Sequence, residues 1–209
     1  MKQLMIFDLD GTLIDSLPDI ADAMNRALSD WGMAPRSLSE IKHFIGSGTQ
    51  KLVERACDGS IPEGLLEAYR SHYDNNLLRR TTAYPGLSEL LAGLKRSKLA
   101  VVTNKYQSAA DRIIEELFPG VFQEVIGDGR FPRKPDPSAI YYLMEKYRLT
   151  PDQTVLIGDS RGDQATAKNA GIQFVGVAWG YDILTQAVDL DELTRQLSPD
   201  RLSRGEETI

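Results

Sequence analysis

Acidic residues recur at the ends of short apolar runs in this chain. Asp8-Leu9-Asp10-Gly11-Thr12 follows the run Gln3–Phe7, and Thr103-Asn104-Lys105 closes the run Leu99–Thr103. Arg133-Lys134-Pro135-Asp136-Pro137 lies beyond Val121–Ile126, and Gly158-Asp159-Ser160-Arg161-Gly162-Asp163 follows Thr154–Ile157. Carboxylates gathered on one rim repel one another and call for a cation. An all-oxygen ligand set without His or Cys favours a hard ion, and Mg²⁺ is the usual choice beside phosphate. A lysine ammonium and a threonine hydroxyl next to them suit the oxygens of a transferring phosphoryl group. A carboxylate can also attack phosphorus and form an acyl phosphate.

These runs place the residues only if they are strands of one sheet. They are apolar at consecutive positions, as expected when both faces of a parallel sheet are covered. A fifth run, Gln173–Val177, has the same character. Amphipathic stretches at Leu87–Ser97, Ser108–Phe118, Pro137–Tyr147 and Gln164–Ala170 read as the linking helices, with Gly171 at a helix C-cap. The alternation predicts an α/β, Rossmann-like parallel sheet, whose ligands bind outside the carboxyl ends of the strands. One interval breaks it. Between Asp15 and Thr82 no convincing strand occurs, and Pro18–Trp31, Leu38–Cys57 and Glu63–Leu78 read as helices. This predicts an inserted all-helical cap over 16–82 on a core made of 1–15 and 83–209. The crossings near Asp15–Ser16 and Thr82–Tyr84 would be its hinges, and Tyr84-Pro85-Gly86 restarts the core. The polar residues from Ser198 are expected to fray.

Composition narrows the function. The 209 residues carry 24 Lys and Arg against 30 Asp and Glu, a formal charge of −6. That leaves no general basic field for nucleic acid. A single cysteine, Cys57, excludes an intrachain disulfide framework and a cysteine-based zinc site. No apolar run approaches membrane-spanning length, and Asp8 interrupts the first run too early for a signal peptide. A cytoplasmic enzyme for a small phosphorylated metabolite, without nucleic-acid or membrane partners, is the expectation. Monomer and homodimer are both open.

Asp8-Leu9-Asp10-Gly11-Thr12, Thr103, Lys134-Pro135 and Gly158-Asp159 with Asp163 together resemble the four ordered motifs of the haloacid dehalogenase-like superfamily, from Ile6 to about Gly180. The resemblance implies a helical cap in that family's most N-terminal insertion position. It implies that Asp8 is the nucleophile and a Mg²⁺ ligand. Asp10 would be the general acid–base and bind the metal through its carbonyl. Thr103 would bind the phosphoryl group, and Lys134 would neutralise charge on it and on Asp8. Asp159 would bind the metal directly, and Asp163 would serve the metal through water or by orienting its neighbours. The second aspartate, Asp10, separates the chain from the dehalogenase branch. The cap stretch Phe44-Ile45-Gly46-Ser47-Gly48-Thr49-Gln50-Lys51-Leu52 resembles the substrate-specificity loop of the phosphoglycolate phosphatase branch, and Thr103-Asn104-Lys105 resembles that branch as well. A substrate such as 2-phosphoglycolate carries a carboxylate for Lys105, Lys51 or the loop amides to meet.

Pyrophosphatase, 5′-nucleotidase, a phosphoglucomutase-like phosphoryl transferase and a non-catalytic binding protein share much of this pattern. Each residue also has an ordinary use. Asp8 and Asp10 suit a turn, Asp159 and Asp163 suit a helix start, and Gly46 and Gly48 suit a turn between helices. Lys51 and Lys105 read by default as solvated lysines. His43, His72 and Cys57 read as structural or surface residues, Arg79-Arg80 as a solvated helix end, and Trp179-Gly180-Tyr181, after the fifth run, as packing or as the edge of the site. Arg161 receives no role.

Overall fold

The computed structural model describes residues 2–197, so the polar tail from Ser198 lies outside the described residues. Five strands, β1 (Leu4–Phe7), β4 (Lys98–Tyr106), β5 (Glu124–Asp128), β6 (Thr154–Gly158) and β7 (Gln173–Val177), carry the sheet. A two-residue strand, β8 (Ala187–Val188), completes it in the order β5-β4-β1-β6-β7-β8. All its pairings are parallel. Strand β1 lies between β4 and β6, and β5 lies beside β4, so all four motif-bearing strand ends stand side by side.

Alternation along the strands explains the two covered faces. Met5, Phe7, Leu99, Val101, Val155 and Ile157 point to one side and pack with α5 (Leu87–Gly93), α6 (Gln107–Leu117) and α9 (Leu190–Leu197). Their neighbours Leu4, Ile6, Ala100, Val102 and Leu156 point to the other side, against α7 (Ser138–Tyr147) and α8 (Arg161–Ala170). Both sets are apolar because neither face meets water. Gly171 closes α8, and Ser160 opens it through a capping box with Asp163.

Several boundaries differ from expectation. Strand β4 runs on to Tyr106, because the polar ends of Asn104 and Lys105 find partners across the site. The expected strand Val121–Ile126 forms instead over Glu124–Asp128, while Val121 and Phe122 pack on the core from the preceding loop. Helix α5 ends at Gly93 rather than Ser97, where a turn feeds β4. Helix α8 begins three residues earlier than expected, at Arg161. The elements β8 and α9 add to the expected set; β8 is only two residues long, while α9 buries Leu193 and Leu197 on the core beside Leu190.

Four helices lie between Asp15 and Thr82: α1 (Leu17–Asp30), α2 (Leu38–Phe44), α3 (Thr49–Ala56) and α4 (Leu65–Asn75). The expected single segment Leu38–Cys57 is thus two helices. Gly46 and Gly48, both at positive φ, break it, a conformation other residues adopt at a cost. Ile20, Met24 and Leu28 of α1 pack on Leu65, Tyr69 and Tyr73 of α4 in an apolar cluster of their own. The chain enters and leaves this block through a ribbon that the sequence pattern did not reveal. In it β2 (Ile14–Asp15) pairs antiparallel with β3 (Thr82–Ala83), with Ile14 opposite Ala83.

Asp19 locks the ribbon to α1. Its buried carboxylate accepts hydrogen bonds from the backbone N–H of Arg80 (3.0 Å) and Thr81 (2.8 Å) and from the Thr81 hydroxyl (2.7 Å). Arg80, expected to be solvated, pairs with Asp22 at 2.5 Å and reaches Asp19 at 3.8 Å. Removing the carboxylate strands these donors. Asp19→Ala therefore loses about 3 kcal/mol of folding stability, measured by urea denaturation.

Candidate active site

Asp8 is the first residue past β1, and Asp159 the first past β6, so the parallel pairing of these strands sets the two carboxylates together. Asp163 stands in the first turn of α8, aimed back at the same point. One carboxylate oxygen each from Asp8, Asp159 and Asp163 lie within 4.8 Å of one another, and all three residues are buried. Lys134, from the loop after β5, reaches in with its Nζ 2.7 Å from Asp8 Oδ1 and 2.6 Å from Asp163 Oδ1.

The charges do not balance. Three carboxylates face one ammonium. Burial pushes the Asp8 carboxyl up to about 8, with Asp163 and Asp159 adding to the rise and Lys134 opposing it. Asp159 is raised to about 6, again by burial and by Asp163, against hydrogen bonds from Tyr181 N–H and the Thr12 hydroxyl. Burial works against the Lys134 ammonium, yet the two carboxylates outweigh it and hold its pKa above lysine's usual value. A buried all-oxygen cluster with surplus negative charge fits a hard divalent cation, which would reverse both carboxyl shifts.

Asp159 is fixed from both sides. Its Oδ1 accepts from Thr12 Oγ1 at 2.9 Å and its Oδ2 from the Tyr181 backbone N–H at 2.7 Å. The chain passes so close at Gly180 that a Cβ there would collide with the Asp159 side chain. The segment Trp179-Gly180-Tyr181 is thus more than packing. The Tyr181 hydroxyl also accepts from the N–H groups of Ser16 (2.8 Å) and Leu17 (2.9 Å) and donates to Asp15 Oδ1 (3.0 Å). This residue ties the carboxylate cluster to the start of the helical block. The residue lies beyond β7, but its partners at Ser16 and Leu17 are more than 160 residues away in sequence, so no local signal showed this link.

Asp10 does not join the carboxylate cluster. Its side chain takes a 2.5 Å hydrogen bond from Ser16 Oγ and pairs with Lys105 Nζ at 2.9 Å. Lys105, expected to be a surface lysine or a substrate contact, is buried and spent on Asp10, with the Tyr73 ring 4.7 Å from its ammonium.

A cavity of about 40 Å³ lies between these groups and the helical block. Asp8, Asp10, Thr103 and Lys134 line it from the sheet side, and Gly46 and Gly48 from the block. Asn104 and Lys105 are also on its wall, but the Asn104 side chain has a structural task. Its Oδ1 accepts from Lys134 N–H at 2.9 Å, while its amide donates to Lys134 O at 3.2 Å and to Gly46 O at 2.9 Å. Arg133, paired with Asp128 at 2.7 Å, packs its guanidinium against Gly48. The remaining residues singled out in the block do not reach this cavity. Ser47 accepts from Arg55 at 3.2 Å, and Lys51 is more than half exposed and pairs with Glu54 at 2.7 Å.

Comparison with known proteins agrees with this arrangement. A model of the haloacid dehalogenase-like hydrolases matches residues 5–177. The phosphoglycolate phosphatase of Psychrobacter arcticus is 38% identical over 196 residues, covering 87% of this chain and 85% of that protein. That of Pseudomonas putida KT2440 is 35% identical over 199 residues, covering 87% and 71%. A crystal structure from Lactobacillus delbrueckii subsp. bulgaricus, provisionally named a phosphoglycolate phosphatase, superposes with a TM-score of 0.86 at 31% identity. It covers 94% of this chain and 99% of its own. The chain belongs to the haloacid dehalogenase-like hydrolases.

Proposed function

We propose that the chain is a Mg²⁺-dependent phosphoric monoester hydrolase that converts 2-phosphoglycolate to glycolate and phosphate through an aspartyl phosphate. The Lys134 ammonium bridging Asp8 and Asp163 on the wall of the small cavity carries this reading. The names of the relatives supply the substrate.

In this reading Asp8 attacks the phosphorus of the ester, and the bond to the leaving alkoxide breaks. Asp10 gives its proton to that oxygen. It then takes a proton from a water, which attacks the phosphorus of the aspartyl phosphate, releases inorganic phosphate and restores Asp8. Lys134 holds Asp8 in register and offsets charge gathering on the phosphoryl oxygens. Thr103, buried on the cavity wall, offers its hydroxyl to the same group. Lys105 and Ser16 fix Asp10 beside the cavity. Asp8 and Asp159 would hold Mg²⁺, together with the Asp10 carbonyl. Asp163, whose two oxygens are engaged by Lys134 and Ser160, would position them. The bound ion would supply charge neutralisation for an anion approaching an anionic pocket.

The helical block over 16–82 serves as a cap on the core in this proposal. With Gly46 seated on Asn104, it shields the cavity from bulk water, which strengthens every charge interaction inside. Opening at the β2–β3 ribbon exchanges product for substrate. Asn104 is then a positioning residue. One amide holds both the block's glycine loop and the backbone of Lys134.

Three outcomes test the proposal. Asp8→Asn lowers phosphate release from 2-phosphoglycolate by roughly a thousandfold or more, while Asp10→Asn slows it strongly and leaves ligand binding in place. Full activity in Asp8→Asn removes the acyl-phosphate step, and a preference for pyrophosphate or a nucleoside monophosphate replaces the substrate. Chelation abolishes turnover, and saturating Mg²⁺ raises the thermal midpoint, by about 2.7 kcal/mol of stability at a hundred times its Kd. Asn104→Asp keeps the acceptor for Lys134 N–H but sets a carboxylate against two carbonyls. It lowers kcat/KM about tenfold, mainly through kcat, in steady-state assays.

A further inference from the structure

The loop Gly46-Ser47-Gly48 touches the sheet side of the molecule at two points, and they differ in kind. At Gly46 the carbonyl accepts from the Asn104 amide at 2.9 Å. At Gly48 the backbone lies against the guanidinium of Arg133. A Cβ at Gly48 would stand 3.0 Å from Arg133 Nε, 3.2 Å from Cζ and 3.3 Å from Cδ, closer than these atoms can comfortably sit. A Cβ at Gly46 would meet nothing within 4 Å. Both residues have positive φ, which by itself favours glycine. Only at Gly48 does a close approach add a second demand for it.

Arg133 cannot simply swing aside. Its Nε and Nη2 donate to the two oxygens of Asp128, at 2.9 and 2.7 Å, and this forked pairing fixes the plane of the guanidinium. Asp128 is the last residue of β5, and the Arg133 carbonyl accepts from the Asp136 N–H at 3.0 Å. Nor can the loop absorb a shift on its own. Gly48 directly precedes α3, whose Leu52, Val53 and Ala56 are buried in the apolar cluster of the helical block. A displacement at Gly48 therefore passes to α3 and the block. Gly48 and Thr49 line the catalytic cavity, whereas Arg133 stands behind the loop, off that wall.

We propose that Arg133, held by Asp128, is a positioning residue whose guanidinium is the second seat of the helical block. It fixes how closely Gly48 and Thr49 approach Asp8. A single hydrogen bond at Gly46 lets the loop pivot about one point, and the Arg133 seat removes the pivot. The guanidinium acts by its shape, since its charge is already matched by Asp128. Arg133 and Lys134 are consecutive, so one stretch of chain carries both the ammonium on Asp8 and the surface on which the block rests. The kinetic consequence rests on the phosphatase reading above; the contact itself does not.

A double-mutant cycle tests the seat. Gly48→Ala speeds amide hydrogen exchange across residues 46–52 about tenfold, while exchange at the β1 amides stays as in the unmodified chain. The same variant lowers kcat for 2-phosphoglycolate about tenfold and changes KM by less than about threefold. Adding Arg133→Ala makes room for the new methyl, so the double variant exchanges more slowly and turns over faster than Gly48→Ala alone. Adding Asp128→Ala instead, which releases the guanidinium, gives a similar recovery. Arg133→Lys keeps the charge but not the plane, and it speeds exchange in the loop as Arg133→Ala does. A double variant no better than Gly48→Ala, or an Arg133→Lys chain that exchanges like the unmodified one, overturns the proposal. Absence of phosphate release from the unmodified chain sinks the phosphatase reading instead, and the exchange measurements still decide the seat.

Discussion

Lys134 places its ammonium between Asp8 and Asp163 while a third buried carboxylate, Asp159, stands beside them. Buried charge is tolerated only where it is compensated, and here one cation is set against three acids. Much of the surrounding structure makes that arrangement tenable. The central position of β1 brings Asp8 and Asp159 together, the capping box of Ser160 turns Asp163 inward, and Asn104 anchors the backbone from which Lys134 extends. The residual negative charge is what equips the cluster for a cation and, through it, for an anionic ester.

Two further contacts carry the state of this cluster outward. Asn104 joins Lys134 to the glycine loop between α2 and α3, and Tyr181 joins Asp159 to the first turn of α1. Each is a single side chain or residue whose donors and acceptors are divided between the carboxylate cluster and the helical block. The block therefore does not merely lie on the sheet. Its seating and the placement of the charged groups depend on the same hydrogen bonds.

The layout of the sheet was legible in the sequence because consecutive apolar residues mark strands buried on both faces, and because Asp8, Thr103, Lys134 and Asp159 each stand at or beyond such a run. Proximity in chain order to a strand end is a local signal. What stayed hidden is long-range. Lys105 reads as a solvated lysine until Asp10, 95 residues earlier, is found beside it. Asn104 reads as a substrate contact beside Thr103 because nothing local shows that its amide is satisfied 30 and 58 residues away. The β2–β3 ribbon is two residues long on each side, too short for alternation to register. Val121 and Phe122 misplaced a strand because loop residues that pack on the core carry the same apolar signature as the strand itself.

That ribbon bears on how such a molecule is assembled. Ile14 and Ala83 face each other across the ribbon, so the chain departs and returns at points about 5 Å apart. A tight turn of a few residues is enough to bridge that gap. Everything between these points can be lengthened, shortened or exchanged for another polypeptide without rerouting a single strand of the sheet. The carboxylate chemistry and the selection of what reaches it are therefore separable in inheritance, spliced at one doorway.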